Sequence, residues 1–158
     1  MVENMIDVLI YLYENYMDGE QRGVVDQTEL EMELSVAGFT NNEIAQALRW
    51  LDELARRMEA TDDAPRSVNA LRIYTDTESR KLDIEVRGLL LSLEQSGILD
   101  PLSRELVIER AVAIEQDVLT VDELGWIVLL VLMNRPGRES AFNQMEEMVY
   151  GEAPALLH

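Results

Sequence analysis

The chain has 158 residues, 47% of them hydrophobic, which suits one domain or two small subdomains with a folded core. It has no cysteine and a single histidine, His158, which leaves no thiolate zinc site, no disulfide, no cysteine nucleophile and no histidine held in a relay. Its net charge of −18, from 31 acids against 13 bases, works against phosphate backbones and anionic lipid.

That charge is uneven. Residues 1–48 hold ten acids and one arginine, residues 49–87 nine acids and eight bases, and residues 88–158 twelve acids and four bases. No stretch reaches the roughly 20 apolar residues of a membrane span. The start, MVENMIDVLIYLYENYM, has neither a basic n-region nor a small-residue cleavage site, so the expectation is a cytoplasmic protein that does not contact membrane.

In chain order, the first expected helix covers about 4–17, with Met5, Val8, Leu9, Leu12 and Tyr16 at helical spacing, and Asp18-Gly19 closing it. A second covers about 29–36, with Leu30, Leu34 and Met32 placed inward. A third covers about 41–59, with Ile44, Ala47, Leu48, Leu51 and Leu54 on one face. Trp50 lies off that stripe, toward either the first helix or an outer surface. Residues 60–70, ATDDAPRSVNA, are polar and aperiodic and read as a linker. LRIY at 71–74 has extended character.

A fourth helix is expected over 76–95, with Leu82, Val86, Leu89, Leu90 and Leu93 buried and Gly97 as its stop. A fifth covers about 102–115, with Leu106, Val107, Ala111 and Ile114 inward. A sixth, 121–133, carries WIVLLVLM, is apolar on all sides, and belongs in the middle of a core. A last helix covers 139–150. Four starts carry a threonine with glutamate three residues on, a reciprocal capping box: Thr28/Glu31, Thr40/Glu43, Thr75/Glu78 and Thr120/Glu123. Asp100-Pro101 supplies a fifth cap. The expectation is a mainly α fold of about seven helices: a three-helix, helix-turn-helix-like unit at 1–60, a linker at 61–75, a helical bundle at 76–150 and a tail at 151–158.

For chemistry, the sequence offers little. There is no glycine-rich phosphate loop and no EF-hand pattern. Glu29, Glu31 and Glu33 alternate along a helix, where such positions do not converge. No catalytic residue, metal ligand or cofactor is assigned, and an enzyme is not expected.

Two readings compete for LSVAGFTNNEIAQALRWL at 34–51. A DNA-reading helix-turn-helix would expose Asn42, Glu43, Gln46 and Arg49 to base edges. The helix ahead of it carries three glutamates where phosphate contacts would be needed. The alternative is a protein grip. Ala37-Gly38-Phe39 ahead of a capped helix with Ala47-Leu48 resembles ubiquitin-associated-type three-helix domains. That resemblance implies an apolar partner surface at Gly38, Phe39 and the Leu48–Leu51 region.

Arg49, Arg56, Arg57, Arg66, Arg72, Arg80, Lys81 and Arg87 form a basic belt between two acidic ends. It reads either as internal pairing with those ends or as a groove for an acidic partner.

MIDVLIYLYENYM, AGFTNNEIAQALRWLDEL, LRIYTDTESRKLDIEVRGLLLSLEQSGIL, RELVIERA and NQMEEMVYGEAPALLH together resemble the Smg family of bacteria, end to end. The resemblance implies a small cytoplasmic protein without an assigned activity, encoded near DNA-processing genes, and brings no catalytic residues. The expected function is a non-enzymatic adaptor or regulator binding a protein partner, with a nucleic-acid-associated regulator as the alternative. The candidate partner-binding residues are Gly38, Phe39, Arg49, Trp50, Arg72, Tyr74, Arg80 and Arg87, the last three with Arg72 forming a joint between the halves. Both a monomer and a homodimer remain open.

Overall fold

The computed structural model describes residues 5–17, 27–61, 74–114, 116, 118–135 and 137–150. The described residues contain helices and no strand: α1 (Met5–Leu12), continued by a π-helical turn (Tyr13–Met17), then α2 (Gln27–Val36), α3 (Asn41–Thr61), α4 (Asp76–Lys81), α5 (Ile84–Gln95), α6 (Pro101–Val112), α7 (Val121–Met133) and α8 (Glu139–Tyr150). The mainly α fold matches the expectation from the sequence. The eight α-helices exceed the expected seven because the stretch 76–95 is two helices. Leu71, Arg72 and Ile73 lie outside the described residues, as does nearly all of the expected linker.

The chain divides into two compact units, Met1–Glu53 and Leu54–His158, with the division falling inside α3. In the first unit Met5, Ile6, Val8, Leu9 and Leu12 are buried, as are Leu34, Ile44, Ala47 and Trp50. At the π turn Tyr13 is fully buried, and the Asn15 side-chain amide donates to the Tyr11 carbonyl at 2.9 Å, taking up an acceptor near the widened turn. α2 starts at Gln27, one residue ahead of Thr28.

In the second unit α7 is the centre. Eight of its residues, Leu124, Gly125 and Ile127 to Leu132, are buried, as its all-round apolar sequence requires. It packs on α8, α6 and α5. Thr120 opens it with a complete capping box, its hydroxyl accepting from Glu123 N–H at 3.1 Å while the Glu123 carboxylate accepts from Thr120 N–H at 2.9 Å. Thr75/Glu78 does the same for α4.

The break between α4 and α5 has a local cause. Leu82 is extended (φ −108°, ψ 97°) and fully buried, and Asp83 caps α5 by accepting from Val86 N–H at 3.0 Å. An aspartate that can reach its own third amide competes with a continuous helix. The Arg87 Nε–H donates to the Leu82 carbonyl at 3.0 Å, and Leu119 N–H to that of Lys81 at 3.0 Å, so these carbonyls at the break are satisfied.

Candidate partner-binding site

The α2–α3 corner follows from local rules. α2 ends with Ala37 N–H on Glu33 C=O at 3.0 Å, Gly38 N–H on Ser35 C=O at 3.1 Å and Phe39 N–H on Leu34 C=O at 3.2 Å. Gly38 takes φ +109°, a conformation that glycine adopts without a side-chain clash. Thr40 then opens α3 with a reciprocal box: Glu43 N–H donates to Thr40 Oγ1 at 3.2 Å, and Thr40 N–H to Glu43 Oε1 at 2.9 Å. The Glu43 carboxylate is therefore engaged at the helix start.

Phe39 does not stand out from this corner. It is half-buried, and its ring meets that of Tyr11 edge to face, with centroids 5.8 Å apart and planes at 75°. Trp50 is 4% exposed, so of the two places expected for it the outer surface is excluded. Gly38 and Arg49 are exposed.

α2 corrects a second expectation. Met32, placed inward from the sequence, is 64% exposed, and Val36, four residues on, is 88% exposed. Among the described side chains of this helix Leu34 alone is fully buried, with Leu30 half-buried. Met32 and Val36 share a face, with exposed Glu29 and Glu33 beside it. The signal was present in the sequence: Met32 and Val36 fall off the Leu30–Leu34 line.

Of the expected joint, Tyr74 and Arg87 come together, the guanidinium lying 5.7 Å from the ring centroid. Arg80 is exposed, and Arg72 lies outside the described residues. All the described members lie in the second unit.

Several described bases of the second unit are engaged by the chain itself. Lys81 Nζ donates to the carbonyls of Val112 (2.8 Å) and Ile114, closing the C-terminal end of α6. Arg57 Nε lies 3.1 Å from Glu109 Oε2. Arg104 and Arg110, on α6, are only 5% and 4% exposed. Arg104 reaches Glu94 at 2.7 Å and Glu105 at 3.0 Å, and Arg110 grips both oxygens of Glu109 at 2.6 and 2.7 Å. The expectations from sequence did not include these two arginines. Each stands one helical turn from buried Val107, on either side of it, which puts both on the buried stripe of α6.

Arg135 and Arg138 hold the α5–α6 loop. Arg138 Nη2 donates to the carbonyls of Gly97 (2.9 Å) and Ile98 (2.7 Å), and Arg135 Nη2 lies 3.3 Å from Asp100 Oδ2. Asp100 also caps α6, accepting from Ser103 N–H at 2.7 Å. Burial pushes the Asp100 carboxyl up. The hydrogen bonds from Ser103 and the guanidinium charges of Arg135 and Arg138 together outweigh it, and the group sits below its ordinary value.

A cleft of about 350 Å³ is lined by Glu78, Glu105, Ile108, Glu109, Val112 and Ala113. Its carboxylates are taken up by the chain itself: Glu78 by the Thr75 cap, Glu105 by Arg104, and Glu109 by Arg110 and Arg57. Among the described residues no group of three or more His, Cys, Asp or Glu could hold a metal ion, and no helix is long and apolar enough to cross a membrane.

These features define a small helical protein of two compact units, with several described second-unit bases bound internally and an exposed apolar pair on α2. The chain belongs to the family described as "Protein of unknown function (DUF494)", whose model matches residues 5–158. It is 46% identical to the Protein Smg homolog of Alkalilimnicola ehrlichii and 43% identical to that of Nitrosococcus oceani, each over the whole of both chains. It is 44% identical to the Protein Smg homolog of Shewanella woodyi, over 98% of this chain and 99% of the relative. The resemblance to the Smg family read from the sequence is thereby established. No solved structure matches the chain.

Proposed function

We propose that this chain is a non-enzymatic bacterial adaptor or regulator that works in the cytoplasm by binding another protein. The observation that carries the reading is the face of α2, where Met32 and Val36 stand exposed beside Glu29 and Glu33. An apolar pair flanked on one side by carboxylates suits a partner surface that is apolar with a basic edge. The engagement of Lys81, Arg104, Arg110, Arg135 and Arg138 within the chain supports the same reading, since cations engaged by internal carboxylates and carbonyls are withdrawn from phosphates.

The alternative is a nucleic-acid-associated regulator, favoured by exposed Asn42 and Arg49 on α3, the helix that would read bases in a helix-turn-helix. Against it, the flanking helix is acidic where phosphate contacts are needed, and Glu43 is committed to its cap.

The test is affinity capture on the full chain from a native bacterial lysate at moderate salt, with and without nuclease, beside a Met32→Lys/Val36→Lys variant. Both positions are exposed, so the variant keeps the fold. The reading expects a protein that survives nuclease and is lost with the variant. Partners that vanish with nuclease, or that bind the variant equally well, would overturn it.

A further inference from the structure

α7 is buried from Leu124 to Leu132 except at Trp126, its largest side chain, which is only half-buried. The register of α8 on α7 sets what lies beside it. Gly125 faces α8, with methyl groups of Val149 and Met145 at 3.5 and 3.6 Å from where a Cβ would stand. The next residue on each helix completes the contact. The rings of Trp126 and Tyr150 meet edge to face, with centroids 5.4 Å apart and planes at 87°. Tyr150 is 46% exposed, so the two rings form a right-angled corner that reaches the surface. The charge around it has one sign. Neither helix carries a lysine or arginine, and together they carry five carboxylates. Glu123 is engaged by the α7 cap, and Glu139 accepts from Gly137 N–H at 3.4 Å at the other end of the hairpin. The remaining three stand near the rings: Asp122 precedes Trp126 by one turn, and Glu146 and Glu147 precede Tyr150 by one. Asp122 and Glu147 are exposed. The nearest bases along the chain, Arg135 and Arg138, lie at the far end and are held by Asp100 and by the carbonyls of Gly97 and Ile98.

We propose that the Trp126–Tyr150 corner is a binding site for an alkylammonium group. The face of an aromatic ring attracts a cation through its quadrupole, tryptophan most strongly, and a cation set in the corner faces both rings. The carboxylates one turn away on each helix add a field of the same sense, which draws a cation in and turns an anion away. Among the described residues they do not gather into a group that could hold a metal ion, so the rings select for a cation that is sheathed in hydrocarbon. A free amine and a lysine side chain of a partner protein carry the same group. The site does not rest on the α2 face, and its test needs no partner from a lysate.

The test is a titration of the full chain with choline, read at the indole N–H of Trp126 by nuclear magnetic resonance, with buried Trp50 as the internal control. Sodium chloride at matched ionic strength and 3,3-dimethylbutan-1-ol, the neutral carbon analogue of choline, run beside it. The expected result is a saturable shift at Trp126 with choline, at millimolar concentrations, and none with the alcohol or the salt. Tyr150→Leu, at an exposed position, should raise the choline dissociation constant about fivefold without moving the Trp50 signal. Asp122→Asn/Glu147→Gln should weaken binding as well, since both carboxylates are exposed and act through their charge. Competition then separates the sources. Spermidine displacing choline more tightly than a lysine-bearing tetrapeptide assigns the site to a free amine, and the reverse order assigns it to a partner's side chain. A Trp126 signal that choline leaves in place, an equal response to the neutral alcohol, or binding indifferent to Tyr150→Leu would each overturn the proposal.

Discussion

The rings of Tyr11 and Phe39 meet edge to face, 5.8 Å between centroids, and tie the turn after α2 to the first helix. Phe39 is thus a packing residue of the N-terminal unit before it is anything else. Replacing it with alanine should cost about 2 kcal/mol, less than a fully buried phenylalanine because the ring is only half-buried. Trp50, buried in the same unit, reports the loss by fluorescence during denaturation in a Trp126→Phe background. An unchanged midpoint would return Phe39 to the status of a free docking side chain.

Arg104 joins Glu94 on α5 to Glu105 on its own helix while being 5% exposed. Arg104→Ala should destabilise by about 2–3 kcal/mol, since it leaves a void and two carboxylates without their counter-charge. Arg104→Lys should recover only part of that, because a single ammonium does not present the guanidinium fork. Equal stability of the lysine variant and the wild type in thermal melts would show that the fork geometry is irrelevant.

Lys81 closes the end of α6 through the carbonyls of Val112 and Ile114. Lys81→Met keeps the aliphatic stem and removes the donor, at a cost of about 1–2 kcal/mol. Amide hydrogen exchange should show the loss around the α6 end more strongly than in α7. Uniform protection across both helices would contradict the capping role.

Asp100 gives the fold a defined response to acid. Its folded pKa lies below its unfolded value of about 3.9. Its contribution is therefore complete above the unfolded value and is lost as pH falls through the folded one. In the Asp100→Asn variant the side-chain amide oxygen still accepts from Ser103 N–H, but no charge remains there for Arg135 and Arg138. Denaturation midpoints of the wild type and Asp100→Asn should thus differ at neutral pH and converge on acidification below about pH 4. Curves that stay parallel into that range would remove the charge from the account.

What the sequence determined by itself was local. The capping boxes at Thr40/Glu43, Thr75/Glu78 and Thr120/Glu123 and the Asp100-Pro101 start all form where the spacing placed them, since each needs only residues three apart. The all-apolar run fixed α7 over Val121–Met133 and its burial. The break at Leu82–Asp83 was written in the aspartate, but the leucine stripe through Leu82 and Val86 ran across it and masked it.

Only the tertiary structure decided where the charges go. The belt and the later arginines looked alike in sequence. Arg104 finds Glu94 ten residues back, Lys81 finds the end of α6 more than thirty residues on, and Arg138 reaches the Gly97 carbonyl 41 residues away. Such pairs depend on how helices are brought together, and no periodicity encodes them. The same holds for the exposed face of α2: an apolar residue is inside or outside according to what packs on its helix, which is settled by the neighbours and not by the helix itself.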